Sequence, residues 1–321
     1  MKKIILCVLF LLCITGSTVP VSAKEPLHIV VTVFPVFDWT KQILGTNPGN
    51  AEVTWLFDNG VDPHSYQPSM EDILKIADCD LFIYIGGESD QWVQEVLKGA
   101  VNQEMVQMNL LEILGENARE EETVEGMQAE SEAEEAAADL SPEYDEHVWL
   151  SLRNAAFFCR EITNVLKELD PENALVYETN EEAYQEELET LDQSYTEMIA
   201  AASGDTLLFA DRFPFRYLTE DYGLQYYAAF AGCSAETEAS FETIIFLAQK
   251  AEELGLSCIL TIDGSDQKIA QTIVESTDSK DQEILTLDSL QSKTEEDVQA
   301  GAAYLAAMEE NLKVLEQSLD Y

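Results

Sequence analysis

Basic residues are scarce in this chain. Its 321 residues hold 17 Lys and Arg against 62 Asp and Glu, a formal net charge of −45 at pH 7. That balance argues against nucleic acid as a partner, because Lys and Arg must replace the counterions around phosphate. It argues equally against an anionic membrane surface. A cationic ligand fits the charge, although acidity by itself mainly confers solubility. Long apolar runs are also missing. Beyond residue 24 none reaches the roughly 20 residues needed to span a bilayer. Neither H-E-x-x-H nor G-x-S-x-G occurs, so metallohydrolase and serine-hydrolase chemistry lack their usual motifs. Of six cysteines, Cys79, Cys159, Cys233 and Cys258 lie outside the first 23 residues and match no C-x-x-C metal spacing. They read as small buried thiols, with a Cys233–Cys258 disulfide left open for an exported protein. Apolar residues make up 46% of the chain, enough for packed cores. The length suggests about two domains of roughly 150 residues each.

The first 23 residues read as an address. Lys2 and Lys3 precede an apolar core of 11 residues, Ile4 to Ile14, too short to cross a bilayer comfortably. Val21-Ser22-Ala23 then offers the small residues that a signal peptidase reads, which predicts cleavage after Ala23. A lipoprotein signal is the alternative: Ile14-Thr15-Gly16 suits one, but Ser17 stands where the acylated cysteine belongs. Either way the chain is expected to be exported, periplasmic or at the cell surface, with membrane association left open.

The remainder alternates. Leu27–Phe34, Glu52–Phe57, Leu81–Ile85, Thr206–Ala210, Leu224–Phe230, Ser257–Ile262 and Glu283–Leu287 read as strands, separated by segments of helical periodicity. Some strands are apolar on both faces. The pattern predicts an α/β fold with mainly parallel sheets covered by helices. From Pro171, the positions Tyr177, Tyr184, Leu188, Leu191, Tyr195 and Met198 mark one face of a continuous helix, about 31 residues and roughly 45 Å long. The predicted organisation is therefore a signal peptide at 1–23, an N-terminal α/β lobe at 24–169, a rigid linking helix at 170–203 and a C-terminal α/β lobe at 204–321. Ligands of open α/β sheets sit beyond the carboxyl ends of strands, which here means the cleft between the lobes. Residues 116–146 break the pattern with 13 acidic residues and one basic residue, Arg119. They are expected to form a solvated, flexible insertion; a loop that loosely gathers cations is the sharper alternative.

Histidine is rarer than any other chemistry-bearing residue, with three in the chain. His28 falls inside the first strand and reads as a surface or packing residue. His64 lies in a turn-rich loop just after a strand. His147 lies between the acidic stretch and a helix. Two histidines in such loops are candidate metal ligands.

Three stretches then resemble one family: Gly60-Val61-Asp62-Pro63-His64-Ser65-Tyr66-Gln67-Pro68-Ser69, Asp145-Glu146-His147-Val148-Trp149-Leu150, and Tyr217-Leu218-Thr219-Glu220-Asp221-Tyr222-Gly223-Leu224. Together with the order lobe, charged insertion, strut helix and lobe, they make the chain resemble the solute-binding proteins that deliver zinc or manganese to ABC importers. That group includes metal-binding lipoproteins and adhesin-like members. The resemblance implies four inter-lobe ligands, one from each of four loops. His64 and His147 match the family's first two histidines. Asp288, in Leu287-Asp288-Ser289-Leu290, matches its closing carboxylate. The third position falls on Arg212, which stays protonated and cannot ligate. The neighbouring Asp211 is the expected replacement; an ion pair or helix cap is the alternative for Asp211-Arg212. Asp62 is a reserve ligand or a hydrogen-bond acceptor behind His64, unless it merely fixes the turn. Two imidazoles and two carboxylates tolerate manganese, while zinc binds more strongly by intrinsic affinity, so both ions stay open. The resemblance implies a non-enzymatic, monomeric receptor whose partner is an ABC permease in the cytoplasmic membrane. The alternative is a metal-free relative acting as an adhesin or binding a different ligand.

Overall fold

The computed structural model describes residues 26–46, 51–128, 143–234 and 238–320. The expected leader at 1–23 and the Glu/Ala-rich run at 130–138 lie outside the described residues. Two parallel four-stranded sheets form the frame. The first holds β1 (Leu27–Val31), β2 (Ala51–Trp55), β3 (Leu81–Tyr84) and β4 (Val106–Asn109), in the order β2-β1-β3-β4. The second holds β5 (Thr206–Phe213), β6 (Gln225–Ala231), β7 (Cys258–Ile262) and β8 (Glu283–Leu287), in the order β6-β5-β7-β8. Each lobe thus repeats one winding, with a switch in strand direction of travel beside its first strand. Every residue of β3 and β7 is buried, as expected where helices cover both faces. Among the described residues no helix is long and apolar enough to cross a membrane.

The linking helix runs Ala174–Ala201, 28 residues, or about 42 Å. It begins three residues after the expected Pro171. The preceding turn is organised by Asp170, whose carboxylate accepts hydrogen bonds from Asn173 Nδ2 (2.6 Å) and Tyr177 Oη (2.8 Å). The helix is fastened at both ends of its length. Asn180 Nδ2 donates to the Ile43 carbonyl at 2.9 Å in the first lobe, and Tyr195 Oη to the Met308 carbonyl at 2.6 Å in the C-terminal helix. One apolar cluster is continuous from Ile29 and Phe82 through Tyr184 and Tyr195 to Phe209, Tyr304 and Leu319. A smaller cluster around Leu208, Phe230, Leu247 and Ile259 belongs to the second lobe alone.

The described parts of the acidic stretch, 116–128 and 143–146, lie as a strap across the second lobe, with Glu116, Glu120, Glu122, Glu125 and Glu143 exposed. The Arg119 N–H donates to Tyr217 Oη (3.0 Å), and the Gln128 N–H donates to the Ala229 carbonyl (3.0 Å). Glu122 pairs with Arg216, and Gly126 packs so closely on Phe246 that a Cβ would lie 2.0 Å from the ring. The strap mixes polar ties with a few apolar contacts, Ala118 and Met127 on the core and Gly126 on Phe246, too sparse to show as periodicity. The four described cysteines are all free, so the Cys233–Cys258 disulfide is not formed.

Candidate metal centre

The carboxyl ends of the strands face one cleft, and local turn chemistry sets the side chains there. After β2, Gly60 adopts φ +70°, and a Cβ there would come 3.0 Å from the Ser292 carbonyl of the other lobe, so glycine is required at this approach. Asp62 then caps a single 3-10 turn, Pro63–Ser65, by accepting the His64 N–H at 3.0 Å. On the far side, Asp145 Oδ1 accepts the His147 N–H at 2.8 Å and meets its Nδ1 at 3.1 Å. His147 is wholly buried. The Nδ1 of His64 meets Ser89 Oγ at 2.7 Å, and Glu146 fixes Ser89 by accepting its N–H at 2.9 Å.

Both imidazoles therefore have their Nδ1 occupied, which leaves Nε2 free on each. These two Nε2 atoms face each other at 3.3 Å. With zinc–nitrogen bonds of about 2.0–2.1 Å, two ligands of a tetrahedral ion stand about 3.3 Å apart. The two rings sit in unlike electrostatic surroundings. Burial and the neighbouring His147 hold His64 down to about 3. His147 goes the other way: burial opposes its charge, but Asp145, aided by Glu121 and Glu146, outweighs it and raises the pKa. Burial pushes Glu146 itself up to about 7.

The third member of this cluster is not one the sequence reading assigned to it. Cys233 Sγ and one ring nitrogen each of His64 and His147 all lie within 4.8 Å of one another, the one such group among the described residues. Cys233 follows the carboxyl end of β6, and its N–H donates to Glu121 Oε1 of the strap at 3.2 Å. Gly232 lets the loop close on the site: a Cβ there would meet the Phe213 carbonyl at 2.8 Å and His147 Cε1 at 3.3 Å. Burial, with Glu121, Glu146 and Asp145 nearby, pushes the Cys233 thiol well up. The available sequence signal was Ala231-Gly232-Cys233, a thiol behind a glycine at a strand's carboxyl end.

The expected carboxylates stand elsewhere. Between Phe209 and Arg212, Ala210 and Asp211 of β5 oppose Ala229 of β6 alone, a bulge that re-aims Asp211 and Arg212 at the cleft rim. Asp211 accepts the Arg212 N–H at 2.9 Å. The Arg212 guanidinium donates to Asp62 at 2.7 Å and reaches the Ser234 carbonyl at 3.5 Å. Burial works against the Asp62 charge, but Arg212 outweighs it and the carboxyl ends below its usual range. Asp288 accepts the Leu290 N–H at 2.9 Å and pairs with Lys293; burial, with Asp263, still pushes it up. Neither Asp211, Asp288 nor Asp62 joins the His64–His147–Cys233 group. His28 is exposed on β1. Beside the pair opens a cavity of about 580 Å³, lined in part by Asp62, His64, Asp211, Arg212, Asp263 and Ser292.

This frame and site meet a known profile. That of the zinc-uptake complex component A periplasmic family, ZnuA, matches residues 29–318. The chain belongs to this family. It is 31% identical to the zinc-binding lipoprotein AdcA of Streptococcus pneumoniae across 100% of this chain, and it spans 62% of AdcA's length. It is 30% identical to the high-affinity zinc uptake system protein ZnuA of Bacillus subtilis, over 93% of this chain and 89% of that one. The solved Zn(II)-bound ZnuA-like domain of S. pneumoniae AdcA superposes with a TM-score of 0.72 at 29% identity, covering 92% of this chain and 100% of that domain. The ZnuA fold is the two-lobed α/β arrangement that the strand pattern predicts.

Proposed function

We propose that this chain is the exported receptor of an ABC importer and that it captures one zinc ion between its lobes, with His64 and His147 as ligands. The observation that carries this reading is the pair of Nε2 atoms at 3.3 Å, each ring anchored from behind by Ser89 or Asp145. Metal-bound histidines are generally held in this way. Zinc would sit between the two Nε2 atoms, and Asp145 keeps His147 aimed at it. The ZnuA relatives named above are zinc proteins, which favours zinc over manganese. A carboxylate could close the shell, either Asp211 on leaving the Arg212 N–H or Asp288 on leaving Lys293. A docked permease then takes the ion, and no substrate is turned over. The metal-free alternative would have Arg212 fill the cation's place, but its guanidinium is spent on Asp62.

Metal content and thermal shift after chelation test the proposal, with zinc and manganese added separately. One zinc per chain and a melting temperature that rises with zinc concentration are expected. His64→Ala and His147→Ala should each weaken zinc binding by about 100-fold or more, and His28→Ala should not. Equal losses in all three variants, or no binding by the unmodified chain, would sink the assignment.

A further inference from the structure

We infer that Cys233 is the third ligand of this centre, making it a two-imidazole, one-thiolate site; the inference rests on the zinc-receptor reading above. Zinc–sulfur bonds are about 2.3 Å, so nitrogen and sulfur ligands of one tetrahedral ion stand about 3.5 Å apart. The three ligand atoms already lie within 4.8 Å of one another, close to that spacing. The carboxylates are not so placed. Asp211 caps its own chain at Arg212, and Asp288 is held by Lys293 and the Leu290 N–H.

The loop that carries the thiol is built for this position. Gly232 has no Cβ to strike the Phe213 carbonyl, so the loop lies against the His147 ring. Glu121 holds the Cys233 amide from the strap side. Arg212 ties the same loop to the His64 loop, bridging the Ser234 carbonyl and Asp62. The arginine at the matching histidine position thus becomes a positioning residue, and the thiol supplies the donor that it cannot. Cys79, Cys159 and Cys258 are buried, whereas Cys233 is partly exposed and beside the imidazoles. A soft thiolate favours zinc and disfavours manganese. On binding, the thiol gives its proton to solvent while sulfur donates its lone pair to the ion.

Cobalt(II) bound to the reduced full chain, purified without a histidine tag, tests this directly. A near-ultraviolet thiolate-to-cobalt charge-transfer band at one cobalt per chain is expected. Cys233→Ser should abolish that band, keep the visible d–d bands of a bound ion, and weaken zinc by about 10- to 100-fold. One cobalt per chain without a charge-transfer band would overturn the thiolate while leaving the receptor reading intact. A band that survives in Cys233→Ser would overturn it too, since another thiol would be the ligand. Failure of both cobalt and zinc to bind the unmodified chain would overturn the receptor reading and this inference with it.

Discussion

Asp145 does two jobs through one oxygen: it caps the His147 backbone and holds its ring. Asp145→Asn keeps an acceptor but removes the charge. Zinc affinity at neutral pH should fall by about 10- to 100-fold, the usual range for a group behind a metal-bound histidine. The pH dependence separates this effect from misfolding. His147 is raised, and its proton competes with zinc, so affinity should fall as pH drops through the His147 pKa. Without the Asp145 charge that pKa drops, so in Asp145→Asn the fall should begin at lower pH. Zinc titrations from pH 5 to 8 would read it, and an unmoved profile would mean that Asp145 does not control the proton. At this scale His64 and His147 were legible because they are rare and sit in loops beyond strands. Cys233 was not. Nothing in its sequence spacing relates it to His64 or His147, and only the folding of the β6 loop over Gly232 brings it there.

The elements were more legible than the residues, and the misses have local causes. The strand expected at Thr206–Ala210 continues to Phe213 because a bulge absorbs Asp211 without ending the pairing. The linking helix starts late because Asp170 claims the first turn's partners. The strap was invisible because its apolar contacts, Ala118, Gly126 and Met127, are few and follow no regular period. Tyr217 is its fulcrum, accepting from the Arg119 N–H and donating to the Asp145 carbonyl. Tyr217→Phe leaves the buried Asp145 carbonyl and the half-buried Arg119 N–H unpaired and should cost about 1–3 kcal/mol in denaturant unfolding. A loss near zero would mean that the strap is not held there. Asp90, after β3, gives the matching pH prediction. Burial raises its pKa to about 6, against hydrogen bonds from the Gly86 and Ile85 amides that lower it. The folded state therefore binds its proton more tightly than the unfolded state does. Its contribution to stability is full below pH 4 and is lost as pH rises through about 6. Asp90→Asn removes this titration and should reduce the loss between pH 4 and pH 7 by on the order of 3 kcal/mol. Parallel unfolding curves of the two proteins at every pH would refute it.

At the scale of the whole molecule, the two lobes share more than a hinge. Trp149 Nε1 donates to the Ser289 carbonyl at 2.9 Å, and Tyr304 Oη donates to the Trp149 carbonyl at 2.7 Å. Asn59 bridges Thr294, and the Glu295 N–H donates to the Asp58 carbonyl at 2.7 Å. The apolar cluster continues across these contacts and along the linking helix. A wide clamshell opening would expose that cluster, so zinc entry and release should work through loop rearrangement and a slight tilt of the lobes. Two measurements bear on this. Solution scattering should give a radius of gyration of about 19 Å for a folded chain of this size, essentially the same with and without zinc. Thermal unfolding should be a single transition, because the lobes share a common core, and zinc bound at the proposed site should shift it as a whole. An early transition in the chelated protein, abolished by zinc, would show that the lobes unfold separately. The linking helix would then be a flexible tether and not a rigid strut.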